Sequence, residues 1–278
     1  MRAARETIRD GLRFIVLMAG AALMLAPFVW MVAISLKPPA EIFDPGFRLL
    51  PRDWHAVENY TRAATEVPLL RFLLNGVIVC AGILFFQIAA AVPCAYALAK
   101  FKFPGRGLVF ALVLLGLMIP SHVPAIPLYI ALAKLGMLDT YAALIAPSAI
   151  SVFAIFLFRQ FFRTLPDDLI HAARVDGMGE FAIVWRVVLP SAWPALTAFS
   201  IFSVVAHWND LFWPMIVITD MKLATPPLGI VFFRDQESGS DYGALMAGTV
   251  IMTAPLVAAF LLAQRRFIEG ITLSGLKG

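Results

Sequence analysis

The sequence predicts an all-α polytopic membrane protein with six transmembrane helices and a cytoplasmic helix-turn-helix between spans four and five. Three observations carry that prediction. Of the 278 residues, 61% are hydrophobic and only 14% charged, too few polar side chains to cover a water-soluble globule of this size. Six uncharged runs recur, each of roughly 19 to 28 residues, enough at about 1.5 Å per residue to cross ~30 Å of hydrocarbon. Their apolarity is continuous and lacks the period-two alternation of barrel strands, which excludes a β-barrel. The third observation is a charged, glycine- and proline-punctuated stretch, HAARVDGMGEFAIVWRVVLPSAWP (His171 to Pro194), lying in this apolar chain.

The first run, Phe14 to Leu36, follows Arg2, Arg5, Arg9 and Arg13. It exceeds the roughly 7 to 15 apolar residues of a secretory signal and no small-residue cleavage site follows, so it reads as an uncleaved anchor. A connection from Lys37 to Arg71 leads to the second span, Phe72 to Ala99. Its Cys80 and Cys94 stand at no ligand spacing and read as small buried hydrophobes. After the turn FKFPGRG, the third span runs from Gly107 to Ala133 and contains MIPSHVPAIP. Pro120, Pro124 and Pro127 break it near its outer half, and a broken helix frees carbonyls that need partners, so His122 is a candidate cavity residue. Kinked helix packing is the other reading of that segment. A turn near Gly136 to Asp139 precedes span four, Thr140 to Phe158. Span five covers Val187 to Asn209, and an outer loop from Asp220 to Asp241 leads to span six, Tyr242 to Gln264.

With the N-terminus inside, 14 lysines and arginines fall on the inner side and 8 on the outer. The positive-inside rule therefore puts both termini in the cytoplasm. The net charge of +4 is thus a topological signature and no sign of a nucleic-acid partner. The organisation expected is one transmembrane domain over residues 1–278, with its core at 70–265 and a cytoplasmic loop at 164–190.

Within that loop, TLPDDLIHAARVDG begins with Thr164 as a cap, Pro166 in the first turn and Asp167 three residues on, and Gly177 supplies the stop. Leu165, Leu169 and Ala172/Ala173 form its apolar face. Beyond the Gly177 to Gly179 hinge, Phe181, Val184/Trp185 and Val188 repeat at helical spacing, closed by Leu189-Pro190. Insertion into the bilayer is excluded: Asp167, Asp168, Arg174, Asp176, Glu180 and Arg186 would cost roughly 18 kcal/mol at about 3 kcal/mol each. The helix pair lies on the cytoplasmic surface, and its apolar stripes are covered by this chain, by a partner, or by lipid headgroups.

Span five ends in HWNDLFWP. Asp210 in an apolar zone must face a watery cavity or a partner, and His207 stands three residues before it. Trp208, Asn209, Asp210 and Trp213 combine stacking surfaces with hydroxyl acceptors and donors, as a sugar site does. The alternative is that Asn209 and Asp210 bind neighbouring helices and the tryptophans mark the outer interface. No phosphate-binding loop, zinc-protease or nucleophile-elbow motif occurs, so no enzymatic activity is expected of the chain.

Taken together, these residues resemble a known pattern. Ala172-Ala173, Gly177, Leu189 and Pro190 fall at the spacing of the cytoplasmic loop in membrane subunits of bacterial ATP-binding-cassette importers, with Val187 at its isoleucine position and His171 where the pattern has glutamate. SLKPPAEIF, Asn59-Tyr60, AYALAKFKFPG, WNDLFWP and QRRFIEGITLSGLKG are similar to the maltose-type permeases of carbohydrate importers. The resemblance implies an α-helical permease forming half of a pathway with a second homologous permease. A dimer of cytoplasmic ATPase subunits would bind the ATP and magnesium, a soluble solute-binding protein would deliver cargo, and the chain itself would carry no cofactor and no metal. His171, Ala172, Ala173, Arg174, Asp176, Gly177 and Met178 become the expected coupling residues, and Trp208, Asn209, Asp210, Trp213 and His122 the expected substrate path. The cargo class spans sugars, oligosaccharides, polyols and glycerol or sugar-acid conjugates. A proton-coupled transporter acting alone would want a relay of buried ionisable groups, where this chain offers Asp210 and two histidines. A non-transporting membrane scaffold is the remaining alternative.

Overall fold

The computed structural model describes the backbone of residues 2–46, 48–120, 122–236 and 242–275, and their side chains except at 2–8, 232–236 and 262–275. Of the basic residues that set the orientation, Arg2, Arg5, Arg234, Arg265, Arg266 and Lys277 lie outside the described side chains, as does Asp241, which bounds the second outer loop. The described residues form helices and connections. The chain divides into two compact units, residues 1–69 with 230–254, and residues 70–229 with 255–278.

The first unit opens with α1 (Arg2–Ser35), whose apolar segment Arg9–Ser35 is long enough to cross a membrane and buries none of its most apolar window. The 37–71 connection is more ordered than a bare loop. It contains α2 (Pro39–Ile42) and α3 (Ala56–Thr65), because polar side chains there, Lys37 and Asn59 buried among them, pin backbone groups. Asn59 donates to the Ser35 and Lys37 carbonyls at 3.0 and 2.9 Å. Lys37 donates to the Arg48 carbonyl at 2.5 Å and lies over the Trp30 ring. Glu41 accepts from the Arg52 and Asp53 amides at 3.0 and 3.1 Å.

The second unit is built on α4 (Leu69–Lys100). The expected third span is divided into α5 (Arg106–Met118) and α6 (Ala125–Lys134), neither long enough to cross alone. The break falls at the prolines, as the missing amides dictate. Span four is a bent pair: α7 (Tyr141–Ile145) with a 3-10 turn to Ser148, then α8 (Val152–Phe162), 44° apart. The 164–190 loop holds α9 (Asp167–Val175) and α10 (Glu180–Ser191). An 83° bend then leads to α11 (Trp193–Trp208), so residues 187–191 belong to the surface helix and not to span five. After a break at Asn209 come α12 (Phe212–Val217), α13 (Pro226–Gln236) and α14 (Tyr242–Gly275). Among the described residues, three helices pass as spans by length and composition, or up to five if each bent pair counts as one.

Inside a bilayer, helices associate by close packing, so small residues mark the contacts. A Cβ on Gly82 would stand 2.7 Å from Ile145, and one on Gly116 3.1 Å from Val152. Toward the surface helices the core turns aromatic, with Phe158, Phe162 and Phe199 buried and the Phe158 ring in contact with both of the others. Ile170, Ala173, Ile183, Val184 and Val188 of the surface helices join the same cluster. The loop's apolar stripes are therefore covered in large part by this chain. Arg159, expected beyond the end of span four, is buried within α8, donating to the Leu98 carbonyl at 3.2 Å with its guanidinium 3.5 Å over the Phe110 ring.

Candidate functional site

Asp167 and Asp168 begin α9 and Arg174 stands in its last turn, each the sign that the helix dipole favours. The start differs from the sequence expectation. Thr164 does not cap; its hydroxyl donates back to the Phe161 carbonyl at 2.7 Å, and Pro166 occupies the cap position with no side-chain bond. The stop is as expected. Gly177 adopts φ +80°, its amide bonds to Arg174 O and the Met178 amide to Ala173 O, both at 3.0 Å, which together satisfy two orphan carbonyls in a Schellman motif. The buried face consists of Ile170 and Ala173, with Leu165 partly buried, while Leu169 is exposed. Leu169, His171, Ala172 and Val175 (87% exposed) thus face water.

Both ends of α9 are tied to the last turn of α4. At the start, Lys100 Nζ donates to Asp167 Oδ1 at 2.6 Å and to the Leu165 carbonyl at 2.7 Å. At the finish, Arg174 Nε donates to Glu180 Oε1 at 2.7 Å, and the Tyr96 hydroxyl donates to Glu180 Oε2 at 2.8 Å. The Lys100 ammonium holds the Asp167 carboxyl below its ordinary value of 3.8, and the Arg174 guanidinium, opposed by partial desolvation and aided by Tyr96, holds Glu180 below 4.5. A carboxyl whose folded value is lowered contributes fully above its ordinary value and loses that contribution as pH falls through the lowered one. These ties therefore persist at pH 5 and above.

Helix α10 does not close at Leu189-Pro190. Pro190 has no amide to give, so the preceding turn widens into a π-turn over Val184–Val188, with the Leu189 amide bonding to Val184 O, and the helix runs on to Ser191. That extra residue per turn rotates the face. Ile183, Val184 and Val188 are buried, whereas Phe181, expected on the apolar stripe, is 74% exposed against Trp185.

A second polar locus lies at the other end of this unit. A cavity of about 650 Å³ takes Gln87, His122, Ser148, His207, Asp210 and Trp213 into its wall. Three helix breaks contribute to it, through Pro120 and Pro124, Pro147 and Ser151, and Asp210. Irregular backbone at membrane depth is tolerated where it lines a watery space. His207 does not pair with the Asp210 carboxylate as expected from i+3 spacing, because α11 ends at Trp208 and the shared helix face ends with it. Asp210 Oδ1 accepts instead from the Trp213 amide at 3.3 Å, while the Trp213 indole donates to the Ala143 carbonyl at 2.9 Å.

Residues 87–272 match the family of binding-protein-dependent transport system inner membrane components. The chain belongs to this family. It is an inner-membrane transport subunit, not an enzyme, of a system that works with a binding protein. It is 33% identical over 260 residues to the arabinooligosaccharides transport system permease protein AraQ of Halalkalibacterium halodurans, covering 93% of each chain. It is 34% identical over 264 residues to the sn-glycerol-3-phosphate transport system permease protein UgpE of Yersinia pestis, covering 92% of this chain and 94% of that one. A chain of a bacterial ABC transporter that imports the acidic polysaccharide alginate has the same fold, with a TM-score of 0.82 at 22% identity over 94% of this chain and 97% of that one.

Within this permease fold, the expected coupling residues His171, Ala172, Ala173, Arg174, Asp176, Gly177 and Met178 lie in the last turns of α9 and its C-terminal cap, with Ala173 turned into the core. Of the expected path residues, His122, Asp210 and Trp213 meet at the cavity. Trp208 and Asn209 do not line it. Trp208 is buried, with its ring 3.2 Å from where a Gly76 Cβ would stand, and the Asn209 amide caps its own helix through the Val205 carbonyl at 2.8 Å. Sequence reasoning missed Gln87 and Ser203, which join across 116 positions at 2.7 Å. A glutamine within an otherwise apolar span was the available signal, since hydrocarbon leaves its amide no solvent.

Proposed function

We propose that this chain is one of two homologous permease subunits of an ATP-binding-cassette importer for a carbohydrate. In this reading both termini are cytoplasmic, and the two short helices beside the Pro120 to Pro124 break jointly supply a sixth crossing. Residues 1–278 act as one permease domain around the 70–265 core. A dimer of cytoplasmic ATPase subunits, which holds the ATP and magnesium, docks on the 164–190 loop. The names of AraQ and UgpE support a carbohydrate or glycerol-type cargo. The observation that carries the reading is α9 itself, a short helix capped at Gly177 that exposes Leu169, Ala172 and Val175 beside Phe181 while both its ends are tied to a membrane-spanning helix. A rigid element contacting both the power unit and the pathway is what alternating access requires.

Two results test it. Reconstituted alone, the chain will neither hydrolyse ATP nor concentrate labelled sugar; both activities will require the sister permease, the ATPase and the loaded binding protein. Hydrolysis or concentrative uptake by the lone subunit overturns the reading. In the complete importer, Asp210→Asn and Trp213→Ala will each lower uptake about five-fold or more, the range expected when a buried polar or aromatic contact is removed, with assembly and basal ATPase activity intact. Unchanged uptake in both returns these residues to a packing role.

A further inference from the structure

The cavity bears on the kind of cargo. Its wall carries the Asp210 carboxylate, and neither lysine nor arginine occurs among the described residues that line it. His207 adds no positive charge in this arrangement. The Gln87 amide nitrogen is oriented by the Ser148 carbonyl at 2.9 Å, which can only accept, so its other N–H meets His207 Nε2 at 3.3 Å. That imidazole nitrogen must therefore be the acceptor, which makes the ring neutral with its proton on Nδ1. The amide cannot turn over, because that would set its oxygen against the Ser148 carbonyl oxygen; as placed, its oxygen accepts from the Ser203 hydroxyl at 2.7 Å. His122, the remaining titratable group on the wall, lies edge-on to Phe212 with ring centroids 4.3 Å apart.

We propose, resting on the reading of this cavity as part of the substrate path, that it favours uncharged polyhydroxylated cargo and discriminates against anions such as phosphate monoesters and uronate chains. An anion entering here loses hydration beside a carboxylate and finds no lysine or arginine among the described residues of this wall to compensate. Sugar hydroxyls, by contrast, donate to Asp210 and to carbonyls freed at the helix breaks, and the Phe212 and Trp213 rings suit the C–H faces of a pyranose or furanose. The inference aligns the chain with a neutral oligosaccharide importer. It separates the chain from the phosphate ester in UgpE's name and from acidic alginate, although both transporters share its fold or sequence.

The electrostatics of the cavity can be read without knowing the cargo. In the complete importer, with Cys80→Ala and Cys94→Ala, a single cysteine is introduced at Ile150, which lines the cavity and is 69% exposed, or at Leu128 on the same wall. Each is labelled with cationic, neutral and anionic methanethiosulfonates, with rates normalised to a thiol in solution. The expected result is a cationic rate about ten-fold or more above the anionic one, with the neutral reagent between, and a ratio that falls to within about two-fold on adding Asp210→Asn. An anionic rate equal to the cationic one, or a ratio indifferent to Asp210→Asn, overturns the cargo inference and leaves the path reading standing. If neither cysteine reacts even with the neutral reagent while a control at exposed Asp168→Cys does, the cavity is not a watery path, and both fall.

Discussion

An importer carrying Gly177→Val will insert and assemble, yet its ATPase will no longer respond to the loaded binding protein. Gly177 sits at φ +80°, and a Cβ added there meets nothing within 4 Å, so the penalty is torsional and not a clash. Left-handed backbone costs an ordinary residue on the order of 1 to 2 kcal/mol, and a β-branched one falls at the upper end. Relief comes by returning φ to negative values. That movement withdraws the Gly177 and Met178 amides from the Arg174 and Ala173 carbonyls and swings Glu180 away from Arg174 and Tyr96. The exposed face of α9 then presents itself at the wrong angle. Uptake should fall below about a tenth of wild type and the ratio of stimulated to basal hydrolysis should approach one, because a two-kilocalorie bias shifts a two-state equilibrium some thirty-fold. The series Gly, Asn, Ala, Val should lose coupling in that order, since asparagine enters the left-handed region most readily. Wild-type stimulation and uptake in Gly177→Val would mean that the loop merely rests on the membrane surface.

The second large effect is expected from Lys100→Met combined with Glu180→Gln. Singly, these changes remove partly exposed ion pairs, which in general contribute about 1 kcal/mol or less, and coupling should fall less than about five-fold. Together they release both ends of α9 from α4, while the buried Ile170 and Ala173 still hold the helix to the core. The double variant should keep basal hydrolysis and subunit assembly and lose most binding-protein stimulation. Arg174→Glu with Glu180→Arg, which reverses one pair, should restore part of the response where either change alone does not. Wild-type stimulation, flat from pH 8 to 5, should share its acid limb with titration of these two carboxyls, as their lowered values require. Full stimulation in the double variant would show that buried packing alone transmits the motion.

The helix over 167–175 and its Gly177 stop were legible because the stop rests on a local penalty, left-handed backbone torsion. Helix existence was legible for the same reason across α4, where an uncharged run satisfies its own backbone. Faces were less so. Periodicity at 3.6 residues predicts Phe181 inward, but the π-turn that Pro190 imposes shifts the phase of α10. The Asn209 to Leu211 break escaped detection because apolar residues flank it and its justification is a cavity assembled from segments far apart in sequence. Gln87, Ser148 and Ser203 acquire meaning only as neighbours, and nothing in the sequence around any of them names the others.

Helix α4 touches more than the surface loop. Near its start, Arg71 Nε and Asn75 Nδ2 donate to the Lys222 carbonyl at 2.8 and 3.0 Å, Asn75 also reaches the Ala224 carbonyl at 2.8 Å, and Tyr141 fixes the Asn75 oxygen at 2.6 Å. From Asn75 to Tyr96 the helix rises about 31 Å, so a 5° tilt displaces one grip against the other by roughly 3 Å, the length of a hydrogen bond. The 222–224 segment and α9 thus hang from opposite ends of one beam. A push on either is felt at the other as geometry, without a relay of side-chain rearrangements between them. The beam has one weak rung, at interior Pro93, whose missing amide lies a single turn from the Tyr96 grip. Bending there absorbs small tilts before they reach α9, which sets a threshold of movement below which the two ends stay mechanically independent.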